Sequence, residues 1–233
     1  MTTVRPKAAC AAACMVAGLI LAGLGSAIAQ YADQQSLEDQ ISSALRAHAD
    51  DGDSLTRSLS VSQPDAKKAD QQKFINALRV RSISVASAGN SSATASLLSP
   101  EDRAKVAEIA SDRPQIDLEI YFDYNSAVVG PKAVPTLLAL GNALTRSEFK
   151  GSVFFINGYT DARGTPEYNL LLSQQRASSV RTLLIEQFHI PPDTLIAVGF
   201  GKENLKIPGQ PSADQNRRVQ IVNTEVKAAA TGR

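Results

Sequence analysis

An apolar strand that turns directly into a long helix is the feature that most restricts how this chain folds. The run Val153–Ile156 is typical of a buried strand. Gly164 then allows the chain to turn back, and the pair Thr165-Pro166 combines a common N-cap residue with the residue favoured at the first helical position. We therefore predict a strand–helix unit whose helix extends over Asn169–Phe188.

The segments on either side of this unit have similar patterns. Apolar and polar residues alternate between Ile116 and Phe122, which predicts a half-buried strand. The predicted elements are a strand, a helix, a strand, a helix, a strand, a loop and a strand, at residues 116–122, 134–144, 153–156, 169–188, 195–198, 202–215 and 217–223. This order predicts an α/β fold, a two-layer β-α-β-α-β-β sandwich whose mixed sheet carries two helices on one face.

Two opposite charges accompany the strand–helix unit. Asp161 lies in the turn after the strand, and Arg176 lies well inside the helix. A carboxylate can hold an ammonium group, and a guanidinium can grip a carboxylate through paired N–H bonds, so the pair suits a small zwitterion. The alternatives are a turn-forming aspartate and a solvated helix arginine. We expect both side chains to be exposed enough that their removal costs little stability.

Residues 160–180 also carry a longer pattern, T-D-x-x-G-x-x-x-Y-N-x-x-L-S-x-x-R-A-x-x-V. Further motifs stand in order at residues 120–126, 198–201 and 216–219. Together they resemble the OmpA-like C-terminal peptidoglycan-binding domain family over roughly residues 116–226. The resemblance implies non-enzymatic binding of peptidoglycan through the diaminopimelate residue of its stem peptides.

The resemblance also implies the residues of the ligand site. By it, Asp161 takes the ammonium group of the ligand and Arg176 takes its carboxylate. The matched positions are Asp123, Thr160, Asp161, Asn169, Arg176, Arg217 and Arg218. For Asp123, Thr160 and Asn169 the alternatives are a strand-end cap, a turn hydroxyl and a polar residue at a helix start. Of Arg217 and Arg218, one is expected to face the pocket and the other the solvent, because strand neighbours point oppositely.

Tyr159 departs from the family pattern, which usually has histidine before the T-D pair. Tyrosine keeps a ring and a hydroxyl but has no nitrogen that titrates near neutral pH. We expect altered pH dependence or an altered pocket lining, with ligand binding retained.

The N-terminus resembles an export signal. Arg5 and Lys7 precede the uncharged stretch Ala8–Ala29, which ends in an A-x-A cleavage motif. We predict a cleaved signal peptide at residues 1–29 and a location in the periplasm or associated with the outer membrane. The alternative is a retained inner-membrane anchor, as in a stator-type, MotB-like wall-binding protein. It is disfavoured because the stretch has no acidic residue for proton coupling.

Residues 30–113 are predicted to be an N-terminal region that is partly helical and partly of low complexity. Helices are predicted near residues 37–48, 65–78 and 99–110, with a flexible linker at 86–96. The similar segments Thr56–Ser62 and Val80–Ala86 could pair as short strands or could be a coincidence of composition. The domain is predicted at residues 114–226, with a flexible tail at 227–233.

Composition restricts the possible chemistry. The net charge of +1 gives no electrostatic basis for nucleic-acid binding. Cys10 and Cys14 fall within the predicted signal, and His48 and His189 have no partners at metal-ligand spacing. We therefore predict no metal, no cofactor and no enzymatic activity, with an enzyme acting on the cell wall as the alternative. The predicted partners are peptidoglycan and outer-membrane or other envelope proteins, which would contact the N-terminal region.

Overall fold

The computed structural model describes residues 33–46, 64–87, 97–120, 122 and 125–225. The helices in these ranges are α1 (residues 33–45), α2 (Pro64–Ser87), α3 (Pro100–Ser111), α4 (Val134–Leu144) and α5 (Pro166–Phe188). The strands are β1 (Gln115–Leu118), β2 (Phe154–Tyr159), β3 (Leu195–Gly201) and β4 (Val219–Asn223). The predicted signal peptide, the segment Thr56–Ser62 and the tail at 227–233 lie outside the described residues.

The four strands form one mixed sheet in the order β1-β4-β2-β3. β2 and β3 are parallel and are connected through α5, whereas β4 is antiparallel to both β1 and β2. In the centre of the sheet, Ile156 of β2 lies opposite Ala197 of β3 and Ile221 of β4. The predicted α/β class with a mixed sheet is confirmed.

Local sequence fixes both ends of α5. The Thr165 Oγ1 atom accepts the backbone N–H of Tyr168 at 3.2 Å, and Pro166 occupies the first turn. The helix ends at Phe188, and the next residue, His189, has a left-handed φ of 54°, as is common just after a helix. The helix therefore begins three residues before the predicted Asn169 and ends as predicted.

One face of the sheet, called here the first face, packs against α4 and α5. Its core contains Phe154, Ile156, Leu195, Val219 and Ile221 from the strands and Leu137, Leu140, Ala177, Val180 and Leu184 from the helices. A Cβ atom at Gly158 would come within 2.3 Å of the Ser173 carbonyl oxygen, so a side chain there would push α5 off β2. The prediction of two helices on one face is confirmed, and Ile41 and Leu45 of α1 add to the same core.

The opposite face, called the second face, is covered by α2 and α3. Ile75 and Leu78 of α2 and Val106 and Ile109 of α3 belong to the same buried cluster as the apolar side chains of this face. Those side chains are Phe155, Tyr159, Ile196, Val198, Phe200 and Val222. Part of the predicted N-terminal region therefore forms a core with the sheet.

Side chains of α5 protect the edge of the sheet at β3. Gln174 accepts the backbone N–H of Gly199 at 2.8 Å and donates to the Ala197 carbonyl at 3.2 Å. The Ser173 hydroxyl accepts the N–H of Gly201 at 2.8 Å. These bonds satisfy backbone groups that an exposed edge strand would offer to another chain.

Two predictions from local pattern require correction. β1 ends at Leu118, and Phe122 instead forms an isolated bridge with Val129. α2 continues to Ser87, so the possibility of a strand at Val80–Ala86 is wrong. Its β-branched residues favour a strand, but such propensity yields to context, and here the segment continues a helix anchored by Ile75 on the sheet. The helix predicted at 99–110 is confirmed, with Ser99 as its N-cap.

Candidate ligand-binding site

The end of β2 and the beginning of α5 bring most of the predicted site residues together. Thr160 and Asp161 follow β2 directly, Asn169 lies in the first turn of α5, and Arg176 lies two turns further on. Arg217 enters from the segment before β4 and contacts Asp161. Asp123, the remaining predicted residue on this side, lies outside the described residues.

Asp161 has both of its carboxylate oxygens engaged. Its Oδ1 atom accepts the backbone N–H of Arg163 at 3.0 Å, which is the bond of a turn-forming aspartate. Its Oδ2 atom lies 3.0 Å from Nη1 of Arg217. Because Asp161 is only 8% exposed, the expectation of an exposed carboxylate is wrong. It serves at once as a turn former and as one half of an ion pair.

Arg176 is held by the loop that follows β1. Its Nε atom donates to the Ser126 carbonyl at 3.0 Å, and its guanidinium lies 4.9 Å from the centre of the Phe122 ring. Burial lowers the pKa of Arg176, and the positive charge of Arg217 acts in the same direction, while Asp161 opposes both. The side chain is 6% exposed, so the expectation of an exposed arginine is also wrong.

Arg217 bridges two carboxylates. Besides Asp161, it contacts Asp214, whose Oδ1 atom lies 2.7 Å from Nη2. Burial alone would lower the pKa of Arg217, but the hydrogen bonds to the two carboxylates outweigh it and raise the pKa. Asp161 is thus paired with Arg217, an arginine of the N-R-R-V element whose charge also acts on Arg176.

Thr160 and Asn169 shape the turn around Asp161. The Thr160 N–H donates to the Gly201 carbonyl at 2.7 Å, while its hydroxyl is buried and has no hydrogen-bond partner within the described part of the chain. Asn169 donates from Nδ2 to the Arg163 carbonyl at 2.6 Å. The turn is therefore held from both ends, which fixes the direction of the Asp161 side chain.

Arg218 points away from this site. Its guanidinium stacks 3.9 Å from the centre of the Tyr159 ring, and its Nε atom lies 3.3 Å from Oδ1 of Asp117. Neighbouring residues of an extended chain point to opposite faces of a sheet. Because Arg217 points toward the site, Arg218 points toward the second face. The expectation that the second arginine faces solvent is wrong, since Asp117 and Tyr159 hold it buried at 7% exposure.

Tyr159 also belongs to the second face. Its ring stacks on Phe200 with 5.1 Å between centroids, and its hydroxyl donates to Gln220 at 3.3 Å. Burial raises the pKa of its hydroxyl to about 12. The ring thus packs with the second-face core, and the expected effect of Tyr159 on pH dependence or pocket lining stays a prediction.

Three contributors to the site were not predicted from the sequence. They are the Ser126 carbonyl, the Phe122 ring and Asp214. Asp214 stands three residues before Arg217, a spacing that allows an ion pair within one turn of chain. The contacts of Arg176 with the loop have no sequence signal, because they join residues about fifty positions apart in the chain.

The described residues show neither a metal site nor a membrane span. No group of three or more histidine, cysteine, aspartate or glutamate residues is arranged there to hold a metal ion. Among the helices described, none is both long enough and apolar enough to cross a bilayer.

Comparison with known families identifies the domain that holds this site. Residues 121–218 match the OmpA family. The chain carries an OmpA family domain. The matched range includes the turn after β2, all of α5 and the first three residues of the N-R-R-V element, Asn216, Arg217 and Arg218. The resemblance to this family is therefore confirmed over residues 121–218, a range that holds β2, β3, α4 and α5, while β1 and β4 flank it.

Two known relatives each match less than half of the chain. The peptidoglycan-associated lipoprotein of Pseudomonas aeruginosa is 37% identical over 103 residues, which are 43% of this chain and 59% of that protein. The probable lipoprotein YiaD of Escherichia coli is 36% identical over 105 residues, covering 44% of this chain and 46% of the relative. This chain thus spans less than two thirds of the length of these relatives.

Among solved structures, the chain is similar to the peptidoglycan-associated lipoprotein from Burkholderia pseudomallei. The identity is 32%, the match covers 49% of this chain and 92% of that chain, and the TM-score is 0.40.

Proposed function

We propose that this protein is exported and binds peptidoglycan non-covalently through the diaminopimelate residue of the stem peptide. The observation that carries the proposal is the group formed by a buried carboxylate, Asp161, and two guanidiniums, Arg176 and Arg217, in an OmpA family domain. The names of the relatives support it, since two of them are peptidoglycan-associated lipoproteins.

The free end of diaminopimelate matches this group chemically. It carries an ammonium group and a carboxylate on one carbon, so both charges arrive together. We assign the ligand carboxylate to Arg176, whose planar guanidinium suits paired hydrogen bonds. We assign the ammonium to Asp161.

Binding of one stem peptide should be weak. A few charge-assisted hydrogen bonds at about 1.5–3 kcal/mol each are offset by the loss of ligand freedom, so we expect a dissociation constant on the order of micromolar to millimolar. The cell wall is a polymer that repeats the ligand, and rebinding would therefore raise the retention of the protein on it.

The proposed role is to tether envelope components to the wall without cleaving it. In this proposal the signal at residues 1–29 is removed, and the protein lies in the periplasm or at the outer membrane. Surfaces of the N-terminal helices that face away from the sheet would contact outer-membrane or other envelope proteins. None of these steps requires a cofactor.

Co-sedimentation with purified sacculi tests the proposal. The chain from residue 30 onward is incubated with sacculi that contain diaminopimelate, and the pellet and the soluble fraction are analysed. We expect protein in the pellet and no released wall fragments. Absence from the pellet would contradict wall binding, and released fragments would favour the alternative of a wall-acting enzyme.

A further inference from the structure

The Asp161 carboxylate that should receive an ammonium group already holds a cation of the protein. Arg217 Nη1 lies 3.0 Å from Oδ2 of Asp161, and the other oxygen accepts a backbone N–H. A ligand ammonium therefore has to share this carboxylate with Arg217 or displace it. Sharing would place two cations on one carboxylate, and displacement would break a partly buried ion pair.

The charges around Asp161 do not favour an ammonium group alone. Arg176 and Arg217 are both positive, and the charge of Arg217 contributes to lowering the pKa of Arg176. The further carboxylate, Asp214, is 81% exposed and is therefore largely screened by water. Asp161 and Arg176 are buried, whereas the Arg217 side chain is 37% exposed, so its charge is partly screened. These three side chains together carry one negative and two positive groups, a balance that favours a ligand carboxylate.

We propose that Arg217 is the residue that makes the site select ligands with a carboxylate beside the ammonium group and reject ligands with an ammonium group alone. This inference rests on the proposed function. A diaminopimelate end brings its own carboxylate, which offsets the repulsion of its ammonium by Arg217. A lysine end at the same place brings only the ammonium, and the repulsion is not offset.

The test compares two synthetic stem peptides that differ only in carrying diaminopimelate or lysine, titrated into the chain from residue 30 onward at one low salt concentration. The quantity measured is the ratio of the two affinities. We expect wild type to prefer the diaminopimelate peptide. Arg217→Gln removes the charge and should lower the ratio about tenfold, because Arg217 repels the ammonium group of both peptides but attracts the carboxylate that only the diaminopimelate peptide carries.

Two other variants separate charge from structure. Arg217→Lys keeps the positive charge but not the planar fork, so it should keep most of the ratio. Asp214→Asn removes the exposed carboxylate that partly neutralises Arg217 and should raise the ratio by about twofold. Arg46→Gln is the matched control, because it removes an arginine of a surface ion pair with Glu148 and should leave the ratio unchanged.

The outcomes distinguish the inference from the proposed function. A wild-type chain that binds neither peptide would overturn the proposed function and this inference with it. A wild-type preference for diaminopimelate that persists unchanged in folded Arg217→Gln would overturn the inference alone. If Arg217→Gln does not fold, the ratio in Asp214→Asn decides, and a fall in that ratio would also overturn the inference.

Discussion

At the scale of single residues, burial decides how the candidate site behaves. Asp161 and Arg176 are among the most buried charged groups of the described chain, and each is held by hydrogen bonds of its own. Their residue types and approximate places were predictable, because the strand–turn–helix pattern is local. The pairing of Asp161 with Arg217 was not predictable from local pattern, because it joins positions 56 residues apart.

Replacement of Arg176 should reduce wall binding while the domain still folds. Arg176→Ala removes the proposed carboxylate partner, and we expect a loss of about 1.5–3 kcal/mol in binding. Unfolding in urea should show a smaller free energy of unfolding, because the bond to the Ser126 carbonyl is lost too. Binding is measured by sacculus co-sedimentation with Arg46→Gln as the control. Binding equal to wild type would contradict the assignment of Arg176.

Tyr159 should make the protein less stable in alkali. Its folded-state pKa of about 12 is raised mainly by burial, while Arg218 acts the other way. The unfolded value is about 10, so the stabilisation by the neutral hydroxyl is complete below about pH 10 and is lost as pH rises toward about 12.

The variant Tyr159→Phe should therefore lose less of its free energy of unfolding than wild type over that pH range. At neutral pH it should be less stable by about 1 kcal/mol, because the bond to Gln220 is lost. Urea unfolding of both proteins at neutral and alkaline pH measures the difference. Parallel declines would contradict the burial of this hydroxyl.

At the scale of elements, α5 has two roles. One side of it carries Arg176 toward the site, and another side carries Ser173 and Gln174 onto the edge of β3. Its position, length and start were largely predictable from the N-cap, the proline and the apolar spacing. The protection of the β3 edge by α5 side chains was not predictable. In sequence alone, a polar helix residue such as Gln174 cannot be distinguished from a solvated one, because its strand partner is not known.

Loss of the edge cover should destabilise the domain. Gln174→Ala leaves the Gly199 N–H and the Ala197 carbonyl without their partner, which should cost about 1–3 kcal/mol in the free energy of unfolding. Gln175→Ala is the matched control, since Gln175 is exposed on the same helix. Urea unfolding compares the two variants. Equal stability would show that these bonds contribute little.

At the scale of the whole molecule, the described chain buries both faces of its sheet. The first face was predicted from alternation in the strands and from the apolar sides of α4 and α5. The cover of the second face was not predictable, because the apolar residues of α2 are spread around the helix. Only its tertiary partners show that Phe74, Ile75 and Leu78 form a contact surface. Local periodicity reports a helix, but it does not report which surface that helix will cover.

The isolated segment 114–226 should therefore be less stable than the chain from residue 30 onward. Without α2 and α3, the second face would expose Phe155, Val198 and Phe200, which are at most 1% exposed in the structure. We expect a lower midpoint of thermal unfolding and stronger binding of a hydrophobic dye. Addition of residues 64–113 should reverse both effects. Equal midpoints for the short and long chains would contradict a structural role for these helices.

Chemical change of the ligand probes recognition of diaminopimelate while leaving the protein intact. The chain from residue 30 onward is titrated with a synthetic stem peptide whose diaminopimelate end carries either a free carboxylate or its amide. We expect measurable binding of the free acid and binding of the amide weaker by about tenfold or more, since Arg176 would lose its charged partner. Equal affinity for the two peptides would contradict recognition of diaminopimelate by this site.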